Sequence, residues 1–241
     1  MMKLFMVLPV SCSFLFAAVP DNSLPEQEKV TPQDSVHFES RVKPILTIDD
    51  HQFRDLNDNG QLDAYEDRRL PVETRVENLI SLMTKEELVG QMFYKMSKVT
   101  PDGGAENIKA TEQIILNEKL SHFVNDGDAH ASVFAAYSNT LQEIAEGGRL
   151  GIPLVFHFHA QSDRNPLAWT SFPSPMALGA TNNLDLIERW GEVLAAEYRA
   201  KGLHVRIYPM IDVATEPRWS RIQDLFNEDA NQVAEMALAY M

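Results

Sequence analysis

The chain has 241 residues, of which 44% are hydrophobic and 23% are charged, a composition typical of a globular protein. Its 35 acidic and 21 basic residues give a net charge of −14. This balance argues against a nucleic-acid partner, which requires a clustered basic face. The single cysteine, Cys12, excludes an intrachain disulfide framework.

The first twenty residues predict a secretory signal peptide. One lysine precedes an apolar stretch from Leu4 to Val19, and the small residues Ala17 and Ala18 lie near its end. The stretch is too short, and too close to the N-terminus, to indicate a membrane span. Residues 1–20 are therefore expected to be removed on export to a bacterial periplasm or beyond, leaving no membrane partner.

Residues 21–70 predict a polar N-terminal arm that carries an EF-hand-like loop at 55–66, "DLNDNGQLDAYE". The loop fits the calcium template D-x-[DN]-x-[DN]-G-x5-E, and Gly60 permits the sharp turn. Its ligand positions hold Asp55, Asn57, Asn59, Gln61, Asp63 and Glu66. The sequence thus predicts a structural calcium ion and no other cofactor. The alternative is a plain Asp/Asn-rich turn that matches the template.

Two helices are predicted next. Val76, Leu79, Ile80 and Met83 recur at helical spacing, which predicts a helix that contains these residues. Thr84 followed by Glu87 three residues later is a capping box that predicts the start of a second helix.

The rest of the chain alternates between predicted strands and predicted helices. The strands lie at 118–126, 152–159 and 203–214, and the helices at 132–146, 183–202 and 231–241. This alternation predicts an α/β fold with parallel strands. Functional residues are then expected on the loops that leave the strands' carboxyl ends, at 125–130, 159–169 and 209–226.

Two histidines, His157 and His159, lie on the same face of one predicted strand because side chains alternate. Two such imidazoles could ligate a metal, but no third ligand is nearby in the sequence. A substrate-facing His159 at the end of the strand is the preferred interpretation.

The stretch "PRWSRIQDLFNED" (217–229) places Arg218 and Arg221 on either side of Trp219. One interpretation is a structural corner in which the arginines pair with the neighbouring acids Glu216, Asp224 or Glu228. The other is a sugar platform, because sugar rings lie on aromatic faces and their hydroxyls accept hydrogen bonds from forked donors.

Three segments resemble glycoside hydrolase family 3, the β-glucosidase and β-xylosidase family. They are "RVENLISLMTKEELVGQMF", "GIPLVF" and the run from "FPSPMALGA" to the last residue, in which "DVATEPRWSR" is the most specific motif. The resemblance implies that residues 71–241 form the first, incomplete part of a (β/α)8 TIM-like barrel. It also implies retaining hydrolysis of terminal, non-reducing β-D-glucosyl or β-D-xylosyl residues from glycosides or oligosaccharides.

Residue by residue, the resemblance implies that Arg221 reaches sugar hydroxyls, with Trp219 beside it. Ser220 stands where many members have glycine. The family's sugar-gripping aspartate corresponds to His159 when counted from "GIP", and to Asp163 when counted from "DRN". A histidine cannot present a carboxylate's two charged acceptors, so glucose-type specificity is in question.

The family's nucleophile and acid/base are expected beyond Met241, so the chain is expected to be an inactive fragment of the enzyme. The alternative is a non-catalytic carbohydrate-binding protein on the same fold, which His159 favours. A further alternative is a calcium-dependent assembly module built on residues 55–66. A second loop of the same kind would favour this alternative, and the sequence has none.

Overall fold

The computed structural model of the protein describes residues 40–159 and 169–241. The predicted signal peptide, the first half of the predicted arm and Asp163 therefore lie outside the described residues.

The described chain begins with an antiparallel hairpin that the sequence analysis did not predict. Its strands are β1 (Ile45–Ile48) and β2 (His51–Arg54). The two residues between them, Asp49 and Asp50, have φ angles of 52° and 62°. Positive φ at both central positions suits a two-residue hairpin turn, and aspartate tolerates that conformation. The Asp-Asp pair was thus a local signal for the hairpin.

Both predicted helices follow, as α1 (Val72–Leu82) and α2 (Lys85–Gly90). The Thr84 capping box is confirmed, because the Thr84 hydroxyl accepts from the Glu87 backbone and the Glu87 carboxylate accepts from Thr84. The amphipathic pattern of α1 is not matched by burial. None of its residues is buried against the described chain, and Val76 and Ile80 are exposed.

The remaining elements alternate between strand and helix. They are β3 (Tyr94–Val99), α3 (Ala105–Gln113), β4 (His122–Gly127), α4 (Ala131–Glu146), β5 (Val155–Phe158), α5 (Pro175–Gly179), α6 (Leu184–Ala200), β6 (Val205–Arg206) and α7 (Ala230–Tyr240). A π-helical turn extends α3, and a 3-10 turn at Ile222–Asp224 precedes α7. The sequence analysis made no prediction for β3 and α3. The strand is interrupted by lysines and lacks the apolar run that marks a buried parallel strand.

Four strands form one parallel sheet in the order β3-β4-β5-β6. The predicted α/β class with parallel strands is confirmed. Sequential neighbours pair side by side, so the carboxyl ends of all four strands lie along one edge of the sheet.

The core lies between one face of this sheet and the helices. Phe123, Phe156 and Phe158 on that face are at most 3% exposed, and they pack with side chains such as Phe134 and Trp190. The opposite face of β3 is open, with Tyr94 and Met96 more than half exposed. Alternation along each strand therefore separates a packed face from an open one.

The predicted strand over 203–214 is much shorter than expected. The regular strand comprises Val205–Arg206, and Ile207 donates one more backbone hydrogen bond to Phe158. Residues 160–168, which follow β5 along the chain, lie outside the described residues. Met210 forms an isolated parallel bridge with Leu225, which turns the segment back on itself.

The returning segment packs closely against α5. A Cβ atom added to Gly179 would lie 2.1 Å from the Phe226 carbonyl oxygen, so glycine is required for this approach. No helix among residues 40–159 and 169–241 is both long and apolar enough to cross a membrane.

Two histidines on the open face of the sheet lie in direct contact. The Nδ1 of His122 is 3.2 Å from the Nε2 of His157. Burial lowers the pKa of His157, and the neighbouring His122 and His204 lower it further because a second positive charge is disfavoured there. His157 therefore contacts His122 within the sheet, whereas His159 lies just beyond the end of β5.

We expect acidification below about pH 6.5 to destabilise the protein through His157. Its pKa is lower in the folded than in the unfolded chain, so the unfolded state binds more protons as the pH falls, and the free energy of unfolding decreases. Urea unfolding at pH 7.5 and 5.5 should show a smaller pH-dependent loss in His157→Gln than in the wild type.

The matched control for this experiment is Met96→Gln, an exposed position on the same open face. It introduces the same side chain without removing an ionisable group, so it should keep the wild-type pH dependence. An identical loss in His157→Gln and the wild type would contradict the assignment to His157.

Candidate functional site

The carboxyl ends of β5 and β6 bring His159, the first residue of one predicted loop, next to the predicted loop at 209–226. His159 follows the last residue of β5, and the segment 207–229 leaves β6 and folds back through the Met210–Leu225 bridge. Arg221, 62 residues away in sequence, thereby lies beside His159. The parallel sheet is the reason these side chains meet.

Arg218 forms a local and solvent-exposed ion pair. Its Nε and Nη2 donate to the two oxygens of Glu216 over 2.8 and 2.7 Å, and its side chain is 88% exposed. The guanidinium holds the pKa of Glu216 at about 2, since its hydrogen bonds favour the charged carboxylate. Both side chains of this ion pair are exposed to solvent, so the pair is a surface corner that stabilises the protein only modestly.

Arg221 pairs differently. Its Nε donates to Oδ2 of Asp224 over 2.9 Å, and the Asp224 side chain is only 2% exposed, whereas that of Arg221 is 37% exposed. The second oxygen of Asp224, Oδ1, accepts from the Tyr208 hydroxyl over 3.4 Å. A buried carboxylate therefore holds the Arg221 guanidinium, and part of the Arg221 side chain is exposed at the surface.

His159 lies on the other side of Arg221. The Nη2 of Arg221 is 3.4 Å from the Nε2 of His159, and the imidazole lies 6.1 Å from the Tyr208 ring. A neutral imidazole with its proton on Nδ1 can accept from the guanidinium through Nε2, whereas a protonated ring cannot. The pair combines donors from Arg221 with an imidazole at one surface.

Trp219 supplies an aromatic face next to these polar groups. It is 42% exposed, and the Cζ of Arg221 lies 6.0 Å from its ring centroid. An exposed indole beside a partly exposed guanidinium is an arrangement that can bind a sugar, with an apolar ring face on the aromatic and hydroxyls on the fork.

The structure thus brings together three of the four predicted site residues, which are His159, Trp219 and Arg221. Asp163 lies outside the described residues. Sequence reasoning considered Asp224 only as a structural ion-pair partner and did not select Tyr208. The spacing of Arg221 and Asp224 was a usable signal, because residues three apart in a tight helical turn face the same side.

The predicted calcium loop folds around its own backbone. The Asp55 carboxylate, 1% exposed, accepts from the backbone amides of Asn59 and Gly60 over 3.0 and 2.7 Å. The Glu66 carboxylate accepts from the amides of Leu56 and Asp63 over 2.6 and 2.9 Å. Two opposite ends of the loop are therefore tied to its main chain.

The remaining ligand positions point at one another. The side-chain amides of Asn57 and Asn59 both donate to Oδ2 of Asp63, over 2.6 and 2.8 Å. The Oδ1 of Asn57 is buried without a hydrogen-bond partner in the described chain. Within residues 40–159 and 169–241 no group of three or more His, Cys, Asp or Glu side chains is arranged to hold a metal ion. Calcium binding by Asp55, Asn57, Asn59, Gln61, Asp63 and Glu66 stays a prediction, and so does the absence of another cofactor.

Comparison with known proteins places the chain in a family. Residues 84–241 match the model of the glycosyl hydrolase family 3 N terminal domain, a region that begins at the N-cap of α2 and contains the whole parallel sheet. The chain is 33% identical over 218 residues to a "Periplasmic beta-glucosidase/beta-xylosidase" of Dickeya chrysanthemi, covering 85% of this chain and 33% of that protein. It is 30% identical over 189 residues to "Beta-glucosidase C" of Emericella nidulans, covering 75% and 31%.

Solved structures share the fold. An exo-1,3/1,4-beta-glucanase from a Pseudoalteromonas species superimposes with a TM-score of 0.59 at 23% identity, covering 72% of this chain and 28% of that one. A beta-glucosidase from Erythrobacter marinus gives a TM-score of 0.57 at 24% identity, covering 74% and 24%. The chain spans about a third of the length of the curated relatives it matches. It belongs to glycoside hydrolase family 3 and contains residues of that family's N-terminal domain.

Proposed function

We propose that the protein hydrolyses terminal, non-reducing β-D-glucosyl or β-D-xylosyl residues by a retaining mechanism, and that this domain supplies its sugar-binding subsite. Substrates are β-glucosides, β-xylosides or oligosaccharides. Family membership and the names of the Dickeya and Emericella relatives support the glycosidase class. The proposal includes the finer fold, in which β3 to β6 are the first strands of a (β/α)8 TIM-like barrel.

The observation that carries the proposal is the arrangement of Arg221. One edge of its guanidinium is fixed by a buried carboxylate, and the rest lies beside His159 at the carboxyl edge of the parallel sheet. Trp219 offers an exposed aromatic face to the same surface. Side chains of this kind bind sugar hydroxyls and sugar ring faces together.

The proposal assigns no nucleophile and no general acid/base to residues 40–159 or 169–241. A retaining glycosidase requires two carboxyl groups about 5 to 5.5 Å apart on either side of the scissile bond. In the described part of the site, Asp224 and Glu216 are each engaged by an arginine. The domain's own residues bind and orient the sugar, and the reacting carboxyls are proposed to come from elsewhere in the protein.

Export to the periplasm or the cell exterior is part of the proposal. Residues 1–20 have the pattern of a secretory signal peptide, and the Dickeya and Salmonella typhimurium relatives are named as periplasmic. β-Glucoside and β-xyloside substrates would be met in that compartment.

A second candidate function is non-catalytic carbohydrate binding on the same fold. Its support is His159, whose imidazole lies beside Arg221 and lacks the two charged acceptors of a carboxylate. Hydrolysis of chromogenic aryl β-glucosides and β-xylosides by the full-length protein separates the two functions. Turnover supports the glycosidase, whereas sugar binding without turnover supports the second candidate.

We expect Arg221→Lys to lower kcat/KM of the full-length protein by on the order of 10²-fold, equivalent to about 2.7 kcal/mol of transition-state stabilisation. Lysine keeps the charge but loses the planar fork, so contacts to sugar hydroxyls should suffer while simple charge pairing persists. Steady-state kinetics on an aryl β-glycoside and a thermal melt measure the two effects.

The matched control is Arg218→Lys in the same loop. Arg218 is directed to Glu216 in solvent, so its replacement should leave kcat/KM close to the wild-type value. Unchanged kinetics together with a large loss of stability in Arg221→Lys would show that Arg221 is a structural corner.

We further propose that the 55–66 loop binds one structural calcium ion. The loop offers oxygen atoms at all six ligand positions, and the buried Oδ1 of Asn57 has no hydrogen-bond partner in the described chain. Binding requires Glu66 to exchange its contacts with the Leu56 and Asp63 amides for the ion. With two neutral asparagines among the ligands, the affinity is expected to be modest.

Calorimetric titration tests this second proposal. We expect a dissociation constant on the order of 10⁻⁴ to 10⁻³ M for Ca²⁺, the range of extracellular modules. Glu66→Gln should abolish the heat, because the last loop position supplies two oxygens at once. Asp58→Asn, at a non-ligand position of the same loop, should bind like the wild type. No heat from the wild type at millimolar Ca²⁺ would identify the loop as a plain turn.

A further inference from the structure

The arginine of the candidate site, Arg221, is contacted by one deeply buried side chain, that of Asp224. Asp224 is 2% exposed, and its Oδ2 accepts from Nε of Arg221 over 2.9 Å. Its Oδ1 faces the hydroxyl of Tyr208, itself 5% exposed, over 3.4 Å. A carboxylate this deeply buried is stable only when its charge is matched and its oxygens accept hydrogen bonds.

The main chain of Asp224 is also held by hydrogen bonds. Its amide donates to the Arg221 carbonyl over 2.9 Å, which closes the 3-10 turn, and its own carbonyl accepts from the Met210 amide over 3.3 Å. The next residue, Leu225, forms the parallel bridge with Met210. The carboxylate is therefore attached to the continuation of β6 through main-chain contacts on both sides.

The mode of pairing leaves Arg221 available to a ligand. The Asp224 carboxylate accepts from Nε of Arg221, whereas Glu216 accepts from both Nε and Nη2 of Arg218. The Glu216 carboxylate thus occupies one edge of the Arg218 guanidinium. Asp224 contacts Nε of Arg221, and Nη2 of the same guanidinium lies 3.4 Å from the Nε2 of His159.

We propose that Asp224 is a positioning residue, which holds the Arg221 guanidinium in the orientation that receives the sugar hydroxyls. It acts through Arg221 and does not touch the substrate. This inference rests on the proposed glycosidase function for its kinetic consequence. The orientation of Arg221 itself can be measured without any substrate.

The test is Asp224→Asn in the full-length protein. The amide keeps the size of the side chain but removes the charge that holds Nε, so the guanidinium should leave its fixed plane. We expect kcat/KM on an aryl β-glycoside to fall by on the order of 10- to 10²-fold, because small misplacement of a binding group has effects of that size. The loss should lie mainly in kcat, since sugar-hydroxyl contacts strengthen in the transition state.

Two matched variants control the kinetics. Glu216→Gln removes the carboxylate of the other arginine pair in the loop and should keep wild-type kcat/KM, since Arg218 faces solvent. Tyr208→Phe removes a single hydroxyl next to Asp224 and should lower kcat/KM less than Asp224→Asn. It also serves as the second variant if Asp224→Asn does not fold, and a wild-type kcat/KM in a folded Tyr208→Phe would then overturn the inference.

A nuclear magnetic resonance measurement makes the inference independent of activity. The Nε–H signal of Arg221, identified by its loss in Arg221→Lys, should exchange slowly with water in the wild type and rapidly in Asp224→Asn. Glu216→Gln should leave it unchanged. If the wild type has no glycosidase activity, the proposed function fails and this signal alone decides the inference. An unchanged Arg221 signal, or wild-type kcat/KM with only a lowered melting temperature in Asp224→Asn, would overturn it.

Discussion

Parallel pairing of β3 to β6 is the constraint on which the rest of the structure depends. In parallel strands the carboxyl ends meet at one edge, and every connection must return along the packed face through a helix. This arrangement brings His159 and the segment after β6 to the same place. The candidate site exists because the sheet is parallel, and not because its residues are close in sequence.

The two faces of the sheet are physically different. Phe123, Phe156 and Phe158 fill one face, against α4 and α6, with the close aromatic packing of a protein core. The other face carries exposed Tyr94 and Met96 and the contact between His122 and His157. The imidazole pair is polar and titratable, so it links the stability of the protein to pH.

The loop at 217–229 contains two arginines that pair with acids in different ways. Arg218 and Glu216 form the structural corner, exposed and local. Arg221 also pairs with an acid, but that acid is buried and accepts from Nε, while Nη2 of the same guanidinium lies beside His159 and its Cζ lies 6.0 Å from the Trp219 ring centroid. Ion pairing and ligand binding are therefore not alternatives for an arginine. The geometry of the pair decides which edge of the fork remains available.

Features governed by short-range interactions were predictable from the sequence. The Thr84–Glu87 capping box, the helices α4, α6 and α7 and the alternation of strand and helix all depend on residues within a few positions of one another. The assignment of a sugar-binding role to the "PRWSR" loop stays a prediction. β3 was missed because its lysines hide the apolar pattern, and the strand predicted at 203–214 is regular only over Val205–Arg206.

Only the tertiary structure decided which of two adjacent arginines faces the candidate site. Their local sequences are almost equivalent, since each has an aromatic or apolar neighbour and an acid within three residues. The difference arises from contacts between distant segments, in which Tyr208 and Met210 hold Asp224 inside the protein and β5 delivers His159 to Arg221. The sequence by itself determines local elements such as helix caps and amphipathic helices, because these depend on residues a few positions apart. The burial and orientation of a charged side chain depend on which distant segments pack around that side chain.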